Sequence, residues 1–182
     1  MAVELVGAKL VGPFYGSSLY VWAAVLGLTL GGLTAGYFLG GLISRRYPYR
    51  RTLYLVMLAS AILVAAMPVI GGAVMEATLG LDLRVGIVTS CLVFLFPPLL
   101  CFGMVSPLII RLVTPRDDAV GRAAGTVYAV STIGGIFATY VVAFHVIPDV
   151  GMTEGLLATA AMLALFPALY FSGIERRISG ET

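Results

Sequence analysis

Charge is what this sequence has least of. Only 11% of its 182 residues are Asp, Glu, Lys or Arg, against roughly 25% in soluble domains. With 60% hydrophobic residues and a mean hydropathy of +1.04, the composition excludes an ordinary soluble domain and describes a single-domain integral membrane protein. Histidine occurs once, as His145. Haem ligation normally wants a second strong axial ligand, and no other residue offers one, so no metal or cofactor is expected. Cys91 and Cys101 lie ten residues apart in one apolar helix and on different faces, out of bridging range, and read as packing residues. The net charge of +2 rests on arginines in short loops, where the preference of basic residues for the cytoplasmic side accounts for them. Nucleic acid is not implied. The N-terminus lacks a basic start and a long apolar run, so no cleavable signal peptide is expected.

What the chain does have is long uncharged runs ending in arginine. Ser18 to Ser44 holds no charged residue. At about 1.5 Å per residue its 27 residues reach about 40 Å, more than the ~30 Å of hydrocarbon in a bilayer. The run ends at Arg45, Arg46, Arg50 and Arg51, which resist translocation and put this end in the cytosol. On a helical wheel Ala23, Gly27 and Gly31 fall on one side, and Gly32, Gly36 and Gly40 on the other. Each trio is a ladder of small residues that lets a neighbouring helix approach closely, so this helix is expected at the centre of a bundle.

Spans are expected at 18–44, 52–75, 85–110, 121–146 and 156–174. The second carries Pro68 and Gly71-Gly72 near its outer end, where a kink is expected. The third has Pro97-Pro98 in its middle and Pro107 near its cytoplasmic end. Two adjacent prolines remove two backbone donors and leave Phe94 and neighbouring carbonyls without regular partners, so the helix bends there or opens as a hinge. In the fourth, Gly121, Gly125, Ala129, Thr132, Gly135, Ala138 and Thr139 make a small-residue packing face, opposite Val130, Ile133, Phe137, Tyr140 and Val141. Tyr128 falls on the small side, so its hydroxyl is expected to point into the bundle and need a partner. His145 stands near the outer end of this helix, ahead of Asp149 and Glu154, and reads as an interfacial residue. The fifth contains Pro167 and ends at Arg176-Arg177.

Loops alternate between arginine-rich segments (45–51, 111–122, 175–177) and acidic or neutral ones (76–84, 147–154). The expected fold is therefore an all-α bundle of five transmembrane helices in the cell membrane, N-terminus outside and C-terminus cytoplasmic, with Tyr15, Tyr20 and Trp22 at the outer interface. Residues 1–16 are apolar but hold Glu4 and Lys9 and end at Pro13 and Gly16. Twelve residues of helix cover about 18 Å, so this segment lies in the outer interface or dips in from it. Were the native chain longer upstream, it would instead be the outer half of a span with Glu4 buried, and a buried carboxylate is a candidate functional group.

Four stretches, ELVGAKLVGPFYGSSLYVW from Glu4, GLTAGYFLGGLISRR from Gly32, GMVSPLIIRL from Gly103 and GRAAGTVYAVSTIGGIFATYVVAFHVIPDVGM from Gly121, together resemble the membrane portion of the transmembrane spermidine synthase-like family. Those chains are often described as fused major-facilitator and spermidine synthase proteins. The GGLISRRYPYRR segment is also similar to the cytoplasmic loop signature of major facilitator transporters, with Ser44 where that signature has an acid. In such proteins an aminopropyltransferase-like domain follows the membrane part. The present sequence offers neither a strand leading into a glycine-rich nucleotide loop nor paired acids to grip a polyamine.

The resemblance implies a membrane module without catalysis of its own, serving a cytosolic spermidine synthase-like partner and assembling with copies of itself. Alternatives are a small oligomeric transporter or channel for a polyamine or other solute, and an accessory subunit of a larger membrane complex. For a solute, the candidate polar residues are Glu4, Lys9, Tyr128, Tyr140 and His145. The four spans 18–44, 52–75, 85–110 and 155–174 carry no ionisable acid or base apart from the thiols, whereas coupled transport usually depends on such groups.

Overall fold

A computed structural model describes residues 2–114 and 120–179, with side chains to Gly173. Arg116, Asp117 and Asp118, and the side chains of Arg176 and Arg177, lie outside the described residues. Every element described is helical: α1 (Ala2–Tyr15), α2 (Leu19–Arg46), α3 (Arg50–Thr78), α4 (Leu83–Phe94), α5 (Phe96–Val113), α6 (Val120–Val141), a π-helical segment (Val142–Val150) and α7 (Met152–Ser179). Among the described residues five stretches are long and apolar enough to cross a membrane: α2, α3, α5, α6 with its π segment, and α7 to Gly173. This is the architecture of a multi-pass membrane protein.

The boundaries follow local chemistry. Gly16, at φ +74°, closes the turn between α1 and α2, a conformation glycine adopts without penalty. Ser18 then caps α2, its side chain accepting from the Val21 amide. α3 is longer than the expected 52–75 and passes unbroken through Pro68. Its last turn is held by Thr78, so the expected loop at 76–84 shrinks to Leu79–Asp82, and Asp82 caps α4 through the Arg84 amide at 3.0 Å.

The expected single helix over 85–110 is two, α4 and α5, separated by Leu95, with Pro97 in the first turn of α5. The expected fourth helix changes form before its end: from Val142 the pairing widens to the π type, and the Gly151 amide reaches back five residues to the Val146 carbonyl at 2.9 Å. Pro148 sits in this stretch, and a proline lacks the amide of a regular turn and crowds the carbonyl one turn earlier.

α2 and α5 run parallel and form the tightest pair. Gly32 faces Phe96 and Leu99, Gly36 faces Leu100 and Gly103, and Gly40 faces Met104. A Cβ built at Gly103 would stand 2.5 Å from the Leu33 carbonyl oxygen, so the two backbones touch at the Gly36/Gly103 crossing. The other ladder is not used this way. Gly27 meets nothing, and Gly31 only the edge of the Phe96 ring at 4.0 Å, so α2 is clasped on one side rather than both. α3 lies against α4, α5 and α7, with Tyr54 and Tyr170 stacked at 4.3 Å near the arginine end.

α1 is no surface helix: Val3, Val6, Gly7, Ala8, Val11 and Tyr15 are buried against the bundle, and Gly7 packs on Leu95 and Met67. Glu4 is half-buried on this helix and Lys9 exposed. α6 is the opposite case. It has no buried residue, and among the described residues Gly121 and Gly125 meet nothing within 4 Å. Its small-residue face, with Gly135 half-buried, is therefore not packed within the chain as expected.

Candidate functional site

A departure from regular helix inside the bundle is the break at Leu95. Pro97 and Pro98 have no amide hydrogen, so the carbonyls of Val93 and Phe94, four residues earlier, lose their helical donors. The bonds that remain across the break are Leu95 N–H to the Cys91 carbonyl at 3.0 Å and Leu99 N–H to the Leu95 carbonyl at 3.4 Å. Phe94, Leu95 and Leu99 are at most 2% exposed. Buried backbone polar groups in an apolar medium are costly unless paired, so the break carries a cost that the packing around it offsets.

Three helices close around it with glycines. From α1, a Cβ at Gly7 would lie 3.0 Å from Leu95 Cδ1. From α2, Gly32 would meet Leu99 Cβ at 3.1 Å and the Phe96 carbonyl at 3.4 Å. From α3, a Cβ at Gly71 would lie 3.6 Å from the Phe94 ring. One turn before Gly32 on the same face stands Thr29, 4% exposed, whose hydroxyl has no hydrogen-bond partner. Pro97 and Pro98 were legible as a break in the sequence. Thr29 and Gly7 were not singled out, although Thr29 shares a helical face with Val25 and Gly32.

A second polar group lies farther from the arginine end. The Tyr15 hydroxyl is 2.7 Å from Thr78 Oγ1, which is 2.9 Å from Ser90 Oγ. Thr78 Oγ1 also donates to the Val74 carbonyl at 2.7 Å. A hydroxyl has one hydrogen and two lone pairs, so Thr78 is saturated when Tyr15 and Ser90 both donate to it. The trio ties α1, α3 and α4 together and leaves no group free to react.

The expected polar residues are not brought together. Tyr128 is 45% exposed and meets Tyr37 edge-on at 6.5 Å. Its hydroxyl is not buried in the bundle as expected, because α6 rests on its neighbours without burying any of its residues. Tyr140 stacks on Phe144 at 5.9 Å. The His145 Nδ1 lies 3.8 Å from the Asp149 carboxylate, both side chains at least 70% exposed, a geometry of little energetic worth. Lys9 borders a 440 Å³ surface hollow with Trp22 and Met152, and Glu4 has no ion-pair partner among the described residues. A 460 Å³ cleft between α6, the π segment and α7 is lined by carbon, from Phe137, Val142, Val146, Met162 and Phe166 among others. Its single hydroxyl, on Thr159, is turned back to the Gly155 carbonyl. That cleft suits hydrocarbon, not a polyamine. Among the described residues no three His, Cys, Asp or Glu side chains gather as a metal site would need.

No family model, curated protein or solved structure matches the chain. Its function is therefore read from its own geometry.

Proposed function

We propose that this chain is a membrane module without catalysis of its own, completed by further membrane helices along α6 and serving a cytosolic aminopropyltransferase-like enzyme. One observation carries the first half. α6 and its π segment form a 31-residue apolar rod, yet Val120–Val141 buries no residue within the chain. Small residues at one-turn spacing let helices approach closely in lipid, and Gly121 and Gly125 stand open on α6. A second copy of the chain is the simplest occupant of that face. The arginine end of the bundle, where Arg45 to Arg51 join α2 to α3, faces the cytosol on this reading, as a soluble partner requires. The cytosolic partner rests on the resemblance of Gly121 to Met152 and the other stretches to the spermidine synthase-like membrane portion.

The test is the mass of the assembly extracted from native membrane. It should exceed the 19.1 kDa of one chain, and Gly125→Leu should reduce it to the monomer while the helical circular dichroism signal is kept. A wild-type monomer removes the assembly reading, and failure to copurify any aminopropyltransferase-like enzyme removes the anchoring one. The proline break at Leu95 favours a second reading, a small solute transporter, since broken helices line many transport sites. Liposome flux that disappears in Glu4→Gln would support it.

A further inference from the structure

The turn at the arginine end is short and well held. The Tyr47 amide donates back to the Ile43 carbonyl at 2.8 Å, closing α2, and the Thr52 amide donates to the Tyr49 carbonyl at 3.0 Å, opening α3. Arg50 and Arg51 are therefore set in the first turn of a helix, both exposed. Beside them stands α7, where the Tyr170 ring is stacked on Tyr54 at 4.3 Å and meets Phe171 edge-on at 5.4 Å.

Between the start of α3 and Tyr170 lies a hollow of about 670 Å³, lined by Tyr49, Arg50, Arg51, Thr52, Leu55 and Tyr170. Its chemistry is graded along α3. Two guanidinium groups and the Tyr49 and Thr52 side chains stand at the helix start, and Leu55, 47% exposed, follows one turn farther into the apolar span. Among the described residues no carboxylate lines the hollow, and neither arginine has an ion-pair partner. Tyr47 and Tyr49 are exposed on the connecting turn, as aromatic residues at a membrane–water interface are. The arginines thus stand at the level of lipid headgroups, and Leu55 where the hydrocarbon begins.

We propose that this hollow binds the headgroup of an anionic phospholipid, with the phosphate on Arg50 and Arg51 and an acyl chain descending past Leu55. Charge complementarity chooses the class of lipid. The guanidinium fork matches a phosphate with two parallel hydrogen bonds, whereas a zwitterionic headgroup brings its own cation against the two arginines. The exposed leucine chooses a lipid over a soluble phosphate, which has nothing to place there. Basic pockets between membrane helices hold anionic headgroups by the same chemistry. The site is independent of which side of the membrane the arginine end faces and of any partner on α6.

The test compares binding of dioleoylphosphatidylglycerol and dioleoylphosphatidylcholine to the purified protein, read as retained adducts by native mass spectrometry. The wild type should retain phosphatidylglycerol in preference. Arg50→Gln with Arg51→Gln should weaken that binding roughly 30-fold, from about 1 kcal/mol per arginine near an anionic surface and about 1.4 kcal/mol per tenfold. Arg45→Gln with Arg46→Gln removes the same charge from the same turn without touching the hollow, and should leave the preference in place. Both variants keep two of the four arginines at this end, so membrane insertion is affected alike, and circular dichroism checks that each remains helical. Equal retention of the two lipids by the wild type overturns the site. So does an equal loss in both variants, which would reduce it to diffuse basic charge. Displacement of phosphatidylglycerol by an equal concentration of inorganic phosphate also overturns it, assigning the arginines to a soluble anion.

Discussion

Placing a single methyl group at Gly36 tests whether close backbone approach holds α2 to α5. An alanine Cβ there would stand on the Leu100 carbonyl oxygen and 2.8 Å from Gly103 Cα. Ordinary contact begins near 3.4 Å, so the second clash alone requires 0.6 Å of separation (3.4 − 2.8). Both obstacles are backbone, which cannot rotate aside as a side-chain tip can. Forcing extra volume into packed structure costs about 1–3 kcal/mol.

The same substitution at Gly27, where nothing lies within 4 Å, is the control. Both variants gain the same helix propensity, about 1 kcal/mol for Gly→Ala, so that term cancels in the comparison. Gly36→Ala should therefore melt below Gly27→Ala by roughly 2–12 °C, at 2–4 °C per kcal/mol for a chain of this size. The assay is thermal unfolding in one detergent, followed by circular dichroism. Should the two variants melt together, the glycine seam is not what joins α2 to α5, and the use of only one of the two ladders loses its energetic meaning.

Two further outcomes follow from other parts of the bundle. Tyr15→Phe removes one donor to Thr78 and leaves its second lone pair open, and should cost about 0.6–1.7 kcal/mol, the span of interhelical hydrogen bonds in membranes, read as a lowered melting temperature. Impermeant labelling of single cysteines placed between positions 45 and 51 should fail from outside intact cells and succeed after lysis. The reverse result would invert the proposed topology and remove the cytosolic partner.

The helices were legible because hydrocarbon imposes a simple condition on sequence: a long run without charge. The proline break was legible for a similar reason, since a missing amide is a property of the residue itself. Which glycines would be used was not. Gly27–Gly31 and Gly32–Gly36–Gly40 have equivalent spacing on α2, and only Gly103, sixty-seven residues after Gly36, decides which ladder is clasped. The same holds for α1. Its twelve-residue reach leaves an interfacial helix and a dip from the outside equally open, and only the small Gly7 against Leu95 reveals that it packs on the bundle. The small-residue stripe on α6 is visible in the sequence, but a stripe carries no information about whose helix covers it. Tyr128 was misplaced as a consequence.

Taken together, these contacts divide the bundle by tightness. Around the break, Gly7, Gly32 and Gly71 bring three helices onto Leu95, Leu99 and Phe94, and the trio of Tyr15, Thr78 and Ser90 locks α1, α3 and α4 at the end away from the arginines. The glycine contacts around the proline break and the backbone-to-backbone crossing at Gly36/Gly103 hold this part of the bundle close. Freedom lies instead at α6, which has no buried side chain and is joined to the rest by a π-helical segment. Closely packed interiors are bistable rather than continuously deformable, so a conformational change transmitted by this module is expected to move α6 against a rigid remainder. The helix best placed to bind a partner is thus also the one least held by its own chain.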